Sequence, residues 1–544
     1  MLLRRIATHP IRPILLGKGN PPWRSNSRSL STTTPTTSTT PTTPTASPLP
    51  HRRSPAMIGL MAELDQIAPR IDIRADQIEV IDSPAEFYTA LKSMIRKAKR
   101  RIFLSTLYIG KTEHELVSEI RHSLRANPDL KVSILTDALR GTRESPEASC
   151  ASLLASLTEE FPERVETRMY HTPNLTGLRK RFIPKRINEG WGLQHIKLYG
   201  FDDELILSGA NLSNDYFTNR QDRYHVFTSQ RVTDYFADIH NAVCSASFLL
   251  KPADNPAKYT LEWPSSNPAP SPLTSPEAYI KATTSLLRPF TTPSTSHPRP
   301  ETDTSFYPLL CQPPNLNTEL PALRAIIRSP SLCAYTFTAG YFNPHPLVTA
   351  YLLSIQAPGT ILTASPFANG FYNSSGVSSL LPAAYSHLSL RFLRAARSVH
   401  ARISLREWRR GTVGEPDGWT YHAKGLWVTL LQSPAIRSAA HHQPGDAETS
   451  RLPSVDAVSG GVGPCATVVG SSNYTKRSYG LDLEAGALVV SSNEGLMKRW
   501  KREEEQLVAR SRMVEEDELA GEGRRAGWNV RVAMWIVKVL GGEL

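Results

Sequence analysis

The segment HIKLYGFDDELILSGANLS, residues 195 to 213, sets an imidazole and an ammonium two positions apart, at His195 and Lys197. Asp202, Gly209 and Asn211 follow. A second segment, YHAKGLW at 421 to 427, repeats the spacing with His422 and Lys424, and GSSN at 470 to 473 repeats the Gly and Asn. Asn211 is followed eleven positions later by Asp222, and Asn473 eleven positions later by Glu484. A His-x-Lys pair on a strand points both side chains to one face. Two such pairs facing each other across a cleft would bring together two imidazoles, two ammoniums and two amides, a set suited to a phosphodiester and not to a metal ion. One imidazole can attack phosphorus and the other can move a proton. The lysines and amides can neutralise the phosphoryl oxygens. One His-x-Lys carries almost no information, but two copies with acids at matched offset do.

These groups need elements to carry them, and the chain supplies one plan twice. RRIFLSTLYIG (100 to 110) reads as a strand, TEHELVSEIRHSLRA (112 to 126) as a helix and LKVSILTDALRG (130 to 141) as a strand. SLCAYTFTAGYFN, PHPLVTAYLLSIQ and GTILTAS, between 331 and 365, repeat that βαβ order. The expected fold class is α/β, with two βαβ repeats, each a mixed sheet flanked by helices, packed about a pseudo-two-fold axis over one shared active-site cleft. Residues 63 to 250 form the first half and 304 to 544 the second. Residues 251 to 303 read as a connecting region, because seven prolines fall between 251 and 278 and proline interrupts helices and strands. His195 to Asn211 spans 16 positions but His422 to Asn473 spans 51. The excess fits a disordered surface insert at 432 to 464 between adjacent strands.

The net charge of +12 suggests nucleic acid until its distribution is considered. Residues 1 to 62 hold eight Lys and Arg and no acid, leaving about +4 for everything else, an ordinary value that gives no support to a nucleic-acid partner. That leader, MLLRRIATHPIRPILL followed by a Ser/Thr/Pro tract expected to be disordered, has the composition of a mitochondrial transit peptide, with a disordered tail carrying no address as the alternative. Five scattered cysteines give neither a disulfide framework nor a zinc spacing. No apolar run is long enough to span a membrane, and VRVAMWIVKVL (530 to 540) reads as a terminal core strand or helix, with an interfacial anchor as the minor alternative. STLYIGKT (105 to 112) mimics a phosphate-binding loop, but Ser105 stands where a glycine is required. His171 and His225 read as ordinary histidines, and Arg477 as either a substrate contact or a solvated loop residue.

HIKLYGFD fits HxKxxxxD and, with the GAN and GSSN segments, resembles the phospholipase D superfamily from about residue 100 to about 490. Within it, the leader together with HAKGLW and SGANLSNDYFTNRQDRY is similar to the eukaryotic phosphatidylglycerophosphate synthase family. The resemblance implies transfer of a phosphatidyl group from CDP-diacylglycerol to sn-glycerol 3-phosphate through a phosphatidyl-histidine, with release of CMP. That places the chain in phosphatidylglycerol and cardiolipin synthesis, peripherally attached at the matrix face of the inner mitochondrial membrane. It implies His195, Lys197, Asp202, His422 and Lys424 as catalytic, Asn211 and Asn473 as phosphate-binding, and Asp222 and Glu484 as supporting, with no metal and no cofactor. The second motif departs from the pattern, because Thr429 stands where the aspartate belongs. Asp202 is therefore expected behind one imidazole only, making His195 the nucleophile and His422 the general acid and then base, with the reverse assignment open. A hydrolase or nuclease using water as acceptor, and a non-catalytic lipid-binding relative, remain as alternatives.

Overall fold

Leu116, Val117, Ile120 and Leu124 recur at helical spacing along His114–Ala126, and all four are buried. The helix connects Arg101–Ser105 to Lys131–Asp137, which pair in parallel. Leu332–Ala339, helix Pro346–Ser354 and Gly359–Ala364 build the same type of unit, again with parallel strands. The computed structural model describes residues 53–185, 187–294, 301–431, 463–522, 524 and 526–539.

Each unit nucleates a mixed sheet, and the two sheets share a strand order. In the first, Val165–Tyr170, Lys131–Asp137, Arg101–Ser105, Leu198–Phe201, Glu204–Ser208, Tyr224–Thr228 and Ile78–Ile81 are neighbours in that sequence. In the second, Ile403–Trp408, Gly359–Ala364, Leu332–Ala339, Lys424–Leu430, Ala466–Gly470, Glu484–Ser491 and Thr304–Gln312 take the equivalent places. A continuous apolar cluster joins the halves. It includes Ile196, Phe227, Trp427 and Val489, and the rings of Phe227 and Phe306 meet edge to face at 5.0 Å.

The halves exchange more chain than their sequence boundaries suggest. Helix Pro55–Leu64, capped by Ser54, buries Met57, Leu60, Met61 and Leu64 in the core of the second half. Ile71–Ile73 then pairs antiparallel with Thr304–Phe306. The boundary at 62, drawn from charge, therefore cuts through a folded helix, and the first sheet begins at Ile78. Residues 1–52 lie outside the described residues. The proline-rich region is also more structured than expected. Phe248–Pro252 and Tyr259–Glu262 form an antiparallel edge hairpin, and Pro276–Leu287 is a helix. Pro276 occupies the first turn and Pro252 a strand end, positions where the missing N–H costs nothing.

Residues 432–462 of the expected insert lie outside the described residues, and the strands on either side of it pair antiparallel. The apolar C-terminal stretch lies in helix Trp528–Val539, with Val530 buried beside Ala384 and Ala526. Among the described residues no helix is long and apolar enough to cross a membrane.

Candidate active site

Each His-x-Lys segment approaches its sheet through a short parallel pairing with the opposite half. Leu483 N donates to Leu193 O at 2.8 Å and His195 N to Leu483 O at 2.9 Å. In the mirrored place, Thr420 N donates to Asn219 O at 2.9 Å and His422 N to Gln221 O at 2.8 Å. The residue after each stitched segment is the acid, so each carboxylate arrives behind the other half's histidine. His195 Nδ1 lies 3.0 Å from both carboxylate oxygens of Glu484, and His422 Nδ1 lies 2.7 Å from Asp222 Oδ2. Ser471 Oγ donates to Glu484. A carboxylate on Nδ1 fixes the tautomer and leaves Nε2 for chemistry.

The lysines close the cluster. Lys197 Nζ donates to His195 O at 2.7 Å, and Lys424 Nζ donates to His422 O at 3.0 Å and stands 3.6 Å from Asp222. Gly209 is required here, because a Cβ would come within 2.7 Å of both Asp222 Oδ1 and Lys424 Nζ. The two histidines are 5% exposed and the lysines and acids no more than 2%, so charge is poorly solvated. Burial, reinforced by Lys197 on His195 and by Lys424 on His422, holds both imidazoles well below their usual pKa. Both are therefore neutral at pH 7, as a nucleophile and a base must be. Burial also pulls Lys197 down to about 7, against Glu484, and pushes Glu484 up to about 7, against Lys197. Lys424 is lowered and Asp222 raised for the same reason.

Asn211 belongs to this cluster through a tyrosine. Its Nδ2 donates to Tyr216 Oη at 3.2 Å, that hydroxyl lies 3.3 Å from His422 Nε2, and Asn211 Oδ1 is buried without a hydrogen-bond partner. Asn473 is half-buried, two residues beyond Ser471, and its backbone N–H donates to Ser478 Oγ. Arg477 pairs with Asp482 at 2.8 Å, and Asp482 also accepts the Leu193 N–H, so this arginine is tied into the stitch.

Asp202 is elsewhere. It turns the hairpin between Leu198–Phe201 and Glu204–Ser208 at φ 51°, and its carboxylate accepts the N–H groups of Lys99, Arg100 and Arg101 at 2.7, 2.8 and 3.0 Å. It lies seven positions along largely extended chain from His195, on the order of 20 Å. The expectation that Asp202 supports His195 is corrected: Glu484 holds that place. Thr429, read as a missing support for His422, lies mid-strand opposite Ala334, and Asp222 supplies that support.

Sequence reasoning passed over Tyr216 and the buried Arg223. Arg223 donates to Glu503 at 2.9 and 2.8 Å, and His225 shares that carboxylate at 3.1 Å. The available signal was adjacency, since Arg223 directly follows Asp222. His171 is buried, with Nδ1 on Thr172 O. The segment at 105 to 112 ends its strand at Ser105 and leaves Lys111 exposed. All five cysteines are free and buried. Among the described residues no group of three or more His, Cys, Asp or Glu is arranged to hold a metal ion.

No protein-family model matches the chain. It is 42% identical over 491 residues, 87% of this chain and 89% of the relative, to CDP-diacylglycerol--glycerol-3-phosphate 3-phosphatidyltransferase of Saccharomyces cerevisiae. It is 35% identical over 482 residues, 82% and 80% of the two chains, to the mitochondrial protein of that name from Homo sapiens. Among solved structures, phosphatidylserine synthase from Haemophilus influenzae aligns with a TM-score of 0.66 at 21% identity, over 89% of this chain and 98% of that one, a likeness of fold.

Proposed function

Because the chain belongs to the CDP-diacylglycerol--glycerol-3-phosphate 3-phosphatidyltransferase family, in the phospholipase D superfamily, we propose that its crossed His–carboxylate cluster carries that family's reaction. The enzyme moves a phosphatidyl group from CDP-diacylglycerol to sn-glycerol 3-phosphate, giving phosphatidylglycerophosphate and CMP. The observation that carries the residue assignment is the pair of contacts from Glu484 to His195 and from Asp222 to His422, at 3.0 and 2.7 Å.

In this reading His195 Nε2 attacks the phosphatidyl phosphorus. An N–P bond forms, the P–O bond to CMP breaks, and CMP departs with the electron pair. His422 Nε2 then takes the proton of the primary hydroxyl of glycerol 3-phosphate as that oxygen attacks phosphorus and the N–P bond breaks. The assignment no longer rests on Thr429. It rests on the outer nitrogens: His422 Nε2 already has the Tyr216 hydroxyl beside it, a partner suited to proton movement, whereas His195 Nε2 makes no hydrogen bond to the described residues. Lys197, Lys424, Asn211 and Asn473 neutralise the phosphoryl oxygens, and the diphosphate in turn favours the charged form of both lysines.

The leader's composition and the mitochondrial relatives from mouse, chicken and human support a mitochondrial location, with peripheral attachment at the matrix face of the inner membrane. Protease protection in purified mitochondria tests it. The reaction is tested with an acceptor panel of glycerol 3-phosphate, serine, inositol, glycerol and water. Phosphatidylglycerophosphate and CMP should appear in equal amounts with the first, and phosphatidic acid alone would favour a hydrolase.

A further inference from the structure

Residues 177 to 187 read GLRKRFIPKRI, with five basic residues and no acid. Helix Gly177–Phe182 within them has no buried residue. Leu178 and Phe182, one turn apart, are each 72% exposed, and Ile187 is 56% exposed. A six-residue helix has little stability of its own in water, and three large apolar side chains held outward in a basic surround mark an interaction surface. The segment is tethered beside the cleft. Ile183 and Trp191 pack on Leu107, Leu139, Leu175 and Leu193, Lys185 Nζ donates to Ser145 O at 2.8 Å, and Leu193 stands two residues before His195.

We propose that residues 177–187 dock the enzyme onto an anionic phospholipid bilayer, with Leu178, Phe182 and Ile187 entering the boundary between headgroups and acyl chains and Arg179, Lys180 and Arg181 meeting lipid phosphates. This rests on the phosphatidyltransferase reading in one respect: the donor is a two-chain lipid that the cleft must take from a bilayer. Charge selects the occupant. A second copy placed here about a two-fold axis would set one basic surface against another, whereas an anionic surface complements both the charges and the apolar tips.

The test floats full-length protein with phosphatidylcholine vesicles, with and without phosphatidylglycerol, at low and high salt. It compares the wild type with a Leu178→Asp, Phe182→Asp double variant and an Arg179→Glu, Lys180→Glu, Arg181→Glu triple variant. The wild type should float with the anionic vesicles, less so at high salt. Each variant should lose about tenfold or more in vesicle partitioning while keeping activity on micellar CDP-diacylglycerol within about twofold. Variants that float like the wild type, or that change only the oligomeric state on gel filtration, overturn the proposal. If the aspartate variant fails to fold, the triple variant decides, since its three side chains are exposed. A wild type inactive in micelles, with flotation lost in the variants, would sink the phosphatidyltransferase reading and leave the docking surface standing.

Discussion

The two halves place the same strands in the same order and back their histidines the same way, yet only the first contains the full HxKxxxxD pattern. The connection after each His-x-Lys strand accounts for the difference. In the first half that strand returns at once through a tight turn, where Asp202 adopts a positive φ and caps three N–H groups at the start of the neighbouring strand. In the second half residues 431–465 join the strands, a connection far longer in sequence than Asp202 and Asp203, and the equivalent position is an ordinary strand threonine. The final aspartate of the motif belongs to the hairpin, and the acids that serve the histidines lie far away in sequence, one from each half.

The sharpest way to break the pseudo-symmetry is to remove one histidine at a time. His195→Ala and His422→Ala should each cut turnover on the order of 10⁴-fold or more. With CDP-diacylglycerol labelled in the lipid, His422→Ala should accumulate label on the protein and His195→Ala should carry none. Label on His195→Ala alone would reverse the assignment.

A second asymmetry is structural. Arg223, next to Asp222, reaches Glu503, whereas the residue next to Glu484 is Ala485. Glu503→Gln strands a buried guanidinium, stacked 3.9 Å from Trp427, and should cost about 3 kcal/mol or more by urea unfolding. Loss of less than about 1 kcal/mol would mean that the pair contributes little to joining the halves.

The carboxylates should then separate cleanly. Glu484→Gln and Asp222→Asn should lower kcat/KM about 10²-fold or more by loosening the imidazoles. Asp202→Asn should leave kcat/KM within about twofold but destabilise the fold by about 1–2 kcal/mol, through weaker capping of Lys99, Arg100 and Arg101. A large activity loss in Asp202→Asn at unchanged stability would restore it to the chemistry.

Much of this was legible in the sequence. The βαβ units, the duplication and the matched offsets of Asp222 and Glu484 follow from periodicity and spacing, which local chemistry sets. The crossing of the carboxylates was not legible, because it depends on Leu193–His195 bonding Leu483 and on Asn219–Gln221 pairing with Thr420–His422, contacts between chain segments some 200 or more residues apart. Asp202 was misplaced by treating motif spacing as proximity, although a strand advancing about 3.3 Å per residue carries its ends apart. Helix Pro55–Leu64 was missed because the charge of the leader masked the apolar spacing of Met57, Leu60, Met61 and Leu64.

The smallest effect tests whether the two acids hold their lysines equally. Burial pulls Lys197 down to about 7, and among the charges around it Glu484 is the largest that holds it up. An ammonium is needed to receive the diphosphate, so kcat/KM for CDP-diacylglycerol should fall as pH rises through the free-enzyme pKa of Lys197. Glu484, itself pushed up to about 7, is ionised on that alkaline limb. Glu484→Gln removes an anion from beside a cation, which lowers the cation's pKa, so the limb should move to lower pH by about one unit. Asp222 is the largest charge supporting Lys424 but only a lesser support for Lys197, so Asp222→Asn should move the limb in the same direction and less far. Profiles of kcat/KM against pH for the wild type and both variants at constant ionic strength check this. An alkaline limb that stays in place in Glu484→Gln would show that Lys197 is not the group whose proton it reports.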